Sequence, residues 1–61
     1  MGIDMTGYKM IYQDIVYKCL TVNPYWLDGV VTELEVFYIN EQNRINIIKD
    51  NAFEFQFISK N

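Results

Sequence analysis

The sequence predicts an all-β fold, a small single domain of about five short antiparallel strands. β-Branched and aromatic residues fill residues 30–39 and much of residues 8–22, as is typical of strands. Polar or glycine-containing breaks separate these runs. Residues 52–58 alternate between opposite faces, with phenylalanine at every second position, which also indicates a strand.

The first 22 residues divide into a lead-in and two strands. Residues 1–7 contain two glycines and show no periodicity, so we expect a flexible lead-in to a domain that covers residues 8–58. The most polar point of residues 8–22 is Gln13-Asp14. Because one strand of about 15 residues would be unusually long, two strands joined by a turn there are preferred to a single bulged strand.

The next segment is interpreted as a connection. Asn23-Pro24 is expected to end the strand ladder, because proline has no amide hydrogen to donate. Tyr25, Trp26 and Leu27 then lie in a connection that Asp28-Gly29 closes with a turn.

Residues 30–39 form the longest run of strand-forming residues in the chain. The even-numbered positions from Val30 to Tyr38 predict a core face, and the odd-numbered face carries two glutamates followed by Phe37 and Ile39. The alternative is an α+β fold with a helix within residues 24–39, started by Pro24 and supported by apolar residues at helical spacing. Gly29 and the many β-branched residues disfavour that helix.

The last third of the chain predicts a hairpin and a final strand. Residues 40–43 form a polar break of hairpin length, in which Asn43 can take a left-handed conformation. Residues 44–48 are the return strand, 49–51 a second break, 52–58 a strand and 59–61 a polar tail. Because an open flat sheet leaves its edges unpaired, we expect the meander to curl toward an SH3-like barrel.

Length and cysteine content indicate self-association. A chain of 61 residues buries only about 60% of its unfolded surface, and small domains usually add a disulfide, a metal or a partner subunit. Cys19 is the only cysteine and there is no histidine, which excludes an internal disulfide and a Cys/His zinc site. We therefore expect a homodimer. A free cysteine without a secretory signal predicts a cytoplasmic protein.

The charge balance excludes several partners. The net charge is −3, which argues against binding to nucleic acid or to an anionic membrane surface. No run approaches the roughly 18 apolar residues of a membrane-spanning helix. The abundance of Ile, Asn, Lys and Tyr, which have AT-rich codons, suggests a bacterial or phage source.

The sequence does not predict an enzyme or a cofactor. Without histidine, the Ser-His and Cys-His pairs of nucleophilic catalysis cannot form. Cys19 lies within a predicted strand, where a buried apolar role is expected. Glu33 and Glu35 would lie about 7 Å apart on one strand, and the solvated face of a half-buried strand is the preferred interpretation. No phosphate-binding loop or metal motif is present.

Binding to protein is the preferred function, and four aromatic or aliphatic side chains are its candidates: Tyr25, Trp26, Phe37 and Ile39. Tyr and Trp favour interfaces because they cover much area with few rotatable bonds. Trp26 could instead fold back over the open end of a barrel. Phe37 and Ile39 need a cover, which a second copy or the N-terminal segment around Ile3 and Met5 could supply.

The alternative function is an acidic inhibitor that mimics nucleic acid and occupies a basic cleft of a DNA- or RNA-binding protein. Its candidate phosphate surrogates are Asp28, Glu33, Glu35 and Glu54.

Overall fold

The computed structural model describes residues 2–59, and these residues form one antiparallel sheet. The strands are β1 (Ile3–Asp4), β2 (Lys9–Tyr12), β3 (Ile15–Leu27), β4 (Val30–Ile39), β5 (Ile45–Asn51) and β6 (Phe55–Ile58), with a 3-10 turn at Ala52–Glu54. The all-β prediction is confirmed. The alternative helix within residues 24–39 is wrong, because those residues belong to β3, β4 and the turn between them.

The two ends of the chain were predicted to lie outside the domain. Ile3 and Asp4, within the predicted lead-in, pair with Val22 and Thr21 of β3, so this part of the lead-in joins the sheet. Residue 1 of the lead-in and residues 60–61 of the tail lie outside the described residues.

The strand order is β5-β4-β3-β2-β6, with β1 beside β3. Strands β2 to β5 form a meander in which each strand pairs with the next. The 3-10 turn then carries the chain back so that β6 pairs with β2, placing Phe57 opposite Met10 and Phe55 opposite Tyr12. The strand path is open, with β5 and β6 at its two ends, and the SH3-like barrel stays a prediction.

Two tight turns set the register of the meander. Gln13 and Asp14 both have positive φ, at 50° and 65°, and Asp28 and Gly29 have φ of 53° and 79°. Two positive φ values define the two-residue turn that matches the twist of a hairpin. The two-strand interpretation of residues 8–22 is therefore confirmed, as is the left-handed conformation of Asn43, whose φ is 62°.

The predicted end of the ladder at Asn23-Pro24 is wrong. Pro24 lies opposite Leu34, and β3 continues to Leu27. On its other side, β3 pairs with β1 and β2 only as far as Val22. Proline is tolerated at such an edge position because no second strand needs its amide hydrogen. Tyr25 and Trp26 are therefore strand residues and not part of a connection.

The predicted break at residues 49–51 is also wrong, because tertiary contacts hold these polar residues in β5. Lys49 lies opposite Glu35, and its ammonium contacts the Tyr25 ring of β3. Asp50 accepts a hydrogen bond from Tyr12. The predicted strand over residues 52–58 begins only at Phe55, because residues 52–54 form the turn that crosses between sheet edges.

The core lies on the concave face of the curled sheet. Its buried side chains are Met10, Tyr12, Cys19, Val22, Val36 and Phe55. The even-numbered face of β4 is core from Leu34 to Tyr38, whereas Val30 is 61% exposed. The prediction that this core face begins at Val30 is therefore wrong, because a register shift against β3 makes Thr32 an extra residue and reverses the faces of β4 before it.

A bulge in β3 brings residues of opposite parity into this core. Cys19 pairs with Tyr38 and Thr21 with Phe37, so Leu20 is an extra residue in the ladder. Because side chains alternate along a strand, the extra residue reverses the faces beyond it. Cys19 and Val22 consequently both point inward.

One side-chain hydrogen bond links the two halves of the curled sheet. The Tyr12 hydroxyl donates to Oδ2 of Asp50 at 2.6 Å, joining β2 to β5, and the Tyr12 ring stacks on Phe55 at a centroid distance of 4.9 Å. This hydrogen bond raises the pKa of Tyr12 to about 12. The Tyr12 hydroxyl and the Asn51 amide together lower the pKa of Asp50.

These shifts predict the pH dependence of stability. The pKa of Tyr12 rises from 10.0 to about 12 on folding. The contribution of Tyr12 to the free energy of unfolding is therefore complete below pH 10.0 and is lost as the pH rises through 12. Asp50 contributes to the free energy of unfolding at pH values above its ordinary pKa of 3.8, and this contribution is lost as the pH falls through its lowered pKa in the folded protein.

A spectroscopic titration of the tyrosines tests the hydrogen bond. We expect one of the five tyrosines to ionise near pH 12 and this late step to disappear in Tyr12→Phe. The matched control is Tyr8→Phe, at an exposed tyrosine. A late step that persists in Tyr12→Phe would show that the bond does not form in solution.

The loop between β4 and β5 depends on Asn40. Its side-chain oxygen accepts hydrogen bonds from the amides of Gln42 and Arg44 at 2.9 and 3.0 Å, and its side-chain nitrogen donates to Asn46 at 2.8 Å. We expect Asn40→Ala to lower the free energy of unfolding by about 1–2 kcal/mol, measured by urea denaturation. Glu41→Ala, at an exposed position of the same loop, should change it little, and equal effects would contradict this role for Asn40.

Candidate protein-interaction surfaces

An apolar patch covers the convex side of β4 and β5. We call this patch the outer face, and it consists of Phe37, Ile39, Ile45 and Ile47. Phe37 lies opposite Ile47 and Ile39 opposite Ile45. Ile45 is 67% and Ile47 57% exposed, and Phe37 and Ile39 are half-buried. The four side chains form two neighbouring cross-strand pairs, and the members on β5, Ile45 and Ile47, face solvent.

Alternation along β4 explains why Phe37 and Ile39 lie on this side. Val36 is fully buried, so its neighbour Phe37 must point to the opposite face. The N-terminal segment does not supply the cover that was considered for them, since Met5 packs against the core and Ile3 lies opposite Val22.

The outer face ends at an open strand edge. β5 pairs with β4 alone, is seven residues long and contains no proline. β6, at the other end of the strand order, has only four residues. A long edge strand with exposed apolar side chains and unpaired backbone groups is a template for pairing with another strand.

A second apolar patch lies where the β3–β4 hairpin extends beyond the other strands. We call it the tip surface, and it consists of Trp26, Leu27, Val30, Val31 and Phe53. Leu27 pairs with Val30 on one face of the hairpin, and Trp26 pairs with Val31 on the other. Phe53 shares with Val31 an open groove between β4 and the 3-10 turn, which Thr32, Asn51 and Ala52 also line.

The tip surface contains four of the five large apolar side chains that are more than 60% exposed among the described residues. Phe53 is 81%, Trp26 65%, Leu27 63% and Val30 61% exposed. The possibility that Trp26 covers the open end of a barrel is wrong, because an indole with this exposure covers no core. Trp26 lies near the end of the hairpin, beyond the part of β3 that β1 and β2 cover.

Tyr25 differs from its neighbour Trp26. It lies opposite Glu33, and the Lys49 ammonium is 4.2 Å from the centre of its ring, within the range of a cation–π contact. Tyr25 is 39% exposed, and Lys49 lies over one face of its ring.

The four predicted acidic residues do not form one stripe. Glu33 and Glu35 lie on β4, Asp28 in the hairpin turn and Glu54 in the 3-10 turn. Glu35 is engaged locally, because it accepts a hydrogen bond from Asn23 at 3.1 Å and lies opposite Lys49.

Among residues 2–59, no three His, Cys, Asp or Glu side chains are placed to hold a metal ion. Cys19 is 2% exposed, and its burial raises the pKa of the thiol against a weaker opposing effect of a backbone hydrogen bond with Leu20. A buried neutral thiol is a poor nucleophile. No helix long and apolar enough to cross a membrane occurs in the described part of the chain.

No protein-family model, curated protein or solved structure matches this chain.

Sequence reasoning selected part of each patch and missed the rest. Of the candidates, Phe37 and Ile39 lie together on the outer face, and Trp26 lies on the tip surface. The residues missed are Ile45, Ile47, Leu27, Val30, Val31 and Phe53. The alternation of Ile45, Asn46 and Ile47 in the predicted return strand was the available signal for the outer face, whereas the exposure of Phe53 follows from a turn that its alternating sequence concealed.

The burial of Cys19 predicts slow thiol chemistry. We expect the native protein to react with DTNB only at the rate at which it opens, and to react at once in guanidinium. Because oxidation and alkylation require the thiolate at the surface, rapid reaction of the native protein would contradict both the burial and the bulge that produces it.

Proposed function

We propose that this chain is a small, non-enzymatic, cytoplasmic protein-interaction domain that acts as a homodimer. The observation that carries the proposal is the outer face beside the open edge of β5. The buried free thiol of Cys19 is compatible with a reducing compartment.

A second copy suits this edge because it satisfies the backbone and the side chains together. Two β5 strands can pair antiparallel across a two-fold axis, which extends the sheet from one copy into the other. A register centred on Asn46 places Ile45 of each copy opposite Ile47 of the other. Four isoleucines would then form a continuous apolar row across the joined sheets.

The energetics of a small domain favour such a contact. Only six apolar side chains are buried in the described part of the chain, and fully burying an isoleucine stabilises by about 1.5–3 kcal/mol. Lys49 and Asp50 offset each other along β5, so this pair adds no net charge at the edge. Salt screens the repulsion between two chains that each carry a net charge of −3.

The acidic-mimic hypothesis receives less support. Glu35 is engaged by Asn23 and faces Lys49, and the other three carboxylates lie in three separate elements. A mimic requires a row of free charges, and its binding should weaken steeply with salt. Capture of a DNA- or RNA-binding protein that is lost at high salt would favour this alternative.

Ile47→Lys tests the dimer. A lysine on an edge strand opposes strand pairing, so we expect the dimer dissociation constant to rise by at least roughly tenfold, a change of about 1.4 kcal/mol. Light scattering after size-exclusion chromatography should give about twice the 7.3 kDa chain mass for the unmodified protein and the monomer mass for the variant.

Ile3→Lys is the matched control, because Ile3 is a similarly exposed isoleucine, at 52%, on a different strand. It should leave the dimer intact, and circular dichroism should show the same strand content in both variants. A monomer for the unmodified chain, or a dimer that tolerates Ile47→Lys, would overturn the proposed interface.

A further inference from the structure

We infer that the tip surface binds a partner peptide that carries large apolar side chains flanked by lysine or arginine. This surface is separate from the outer face, so the inference does not depend on the proposed dimer.

The tip surface is strongly exposed. Four of its five side chains are more than half exposed. Trp26 and Val31 form a pair on one face of the hairpin, and Leu27 and Val30 form the next pair on the opposite face, so the end of the hairpin is apolar on both faces. Phe53 continues the patch across the groove beside the 3-10 turn. Large exposed apolar patches with polar rims mark sites of interaction.

The charge of the rim specifies the partner. Asp28 joins the two strands of the tip, Glu33 lies opposite the groove residue Asn51, and Glu54 follows Phe53 in the 3-10 turn. Among the described cations, Lys49 is the nearest in register, and it lies opposite Glu35 and over the Tyr25 ring. The rim is therefore acidic.

The remaining cations of the described residues lie elsewhere. Lys9 and Lys18 lie opposite each other on β2 and β3, and Arg44 lies in the loop at the far end of β4. A basic peptide approaching the tip thus meets carboxylates without a competing positive surface, which favours both encounter and orientation.

The carboxylates around the tip disfavour two other binding partners, a second copy of the chain and an anionic membrane. A second copy docked tip to tip would place Asp28, Glu33 and Glu54 against the same three carboxylates. An anionic membrane would be repelled in the same way. A peptide that supplies cations on both sides of an apolar anchor complements both the patch and its rim.

The chain contains its own reporter for this site, because Trp26 is its only tryptophan. Covering an exposed indole shifts its emission to shorter wavelength, whereas binding elsewhere leaves it unchanged. The probe is a short synthetic peptide of alternating lysine and leucine, compared with peptides in which the leucines become serine or the lysines become glutamate. Neutral phosphatidylcholine vesicles are tested as the fourth ligand.

We expect a saturable emission shift with the lysine-leucine peptide alone. Phe53→Ser should weaken binding by at least roughly tenfold, since it removes the most exposed apolar anchor. The double variant Glu33→Gln and Glu54→Gln should weaken binding roughly fivefold at low salt and little at high salt. Leu27→Ser provides a second apolar test at a surface position that folding does not require.

Ile47→Lys is the control that separates this inference from the dimer. It should leave peptide binding unchanged even where it abolishes self-association. Absence of an emission shift, or equal binding of the lysine-leucine and glutamate-leucine peptides, would overturn the inference. An equally strong shift with phosphatidylcholine vesicles would replace the peptide by a lipid surface.

Discussion

A single sheet has to provide both walls of its own core, and the rest of the structure depends on this constraint. The described residues contain no helix to pack against the sheet, so β2 and β6 must curl over β4 and β5. The Tyr12–Asp50 hydrogen bond and the Tyr12–Phe55 stack lie where this curl brings the two ends together. Because the enclosed volume is small, most apolar side chains remain at least partly exposed.

The curl also determines where apolar surface remains. β3 and β4 are longer than the strands beside them, so the part of the hairpin beyond Val22 and Leu34 has no facing wall. Trp26, Leu27 and Val30 are exposed for this reason. At the other end of β4, the convex side carries Phe37 and Ile39 outward because their neighbours fill the core. Thus the two exposed apolar patches follow from the same geometry that forms the core.

Local chemistry made part of this fold predictable. Gln13-Asp14, Asp28-Gly29 and Asn43 mark turns through residues that tolerate positive φ, and the long strand of residues 30–39 follows from its composition. The bulge at Leu20 and the strand pairing of Pro24 could not be read, because both depend on which neighbour lies beside β3. The exposure of Phe53 could not be predicted either. Phe53 and Phe55 alternate as in a single strand, and this pattern gives no sign of the 3-10 turn at Ala52–Glu54. Phe37 and Ile39 were selected from alternation along one strand and Trp26 from its residue type, whereas the positions of Leu27, Val30 and Phe53 depend on the register of a second strand and on the 3-10 turn.

The two proposed surfaces have a joint consequence. Ile45 and Ile47 lie beside Ile39 and Phe37, seven or more residues along β4 from Val30, a separation of about 20–30 Å along the strand. Pairing of two β5 edges would therefore leave both tip surfaces uncovered. A dimer with two weak peptide sites can bind a partner that carries two such segments far more tightly than either site alone, provided that the partner spans both. Modest affinity at each tip is then sufficient, which suits a domain too small to offer a large single interface.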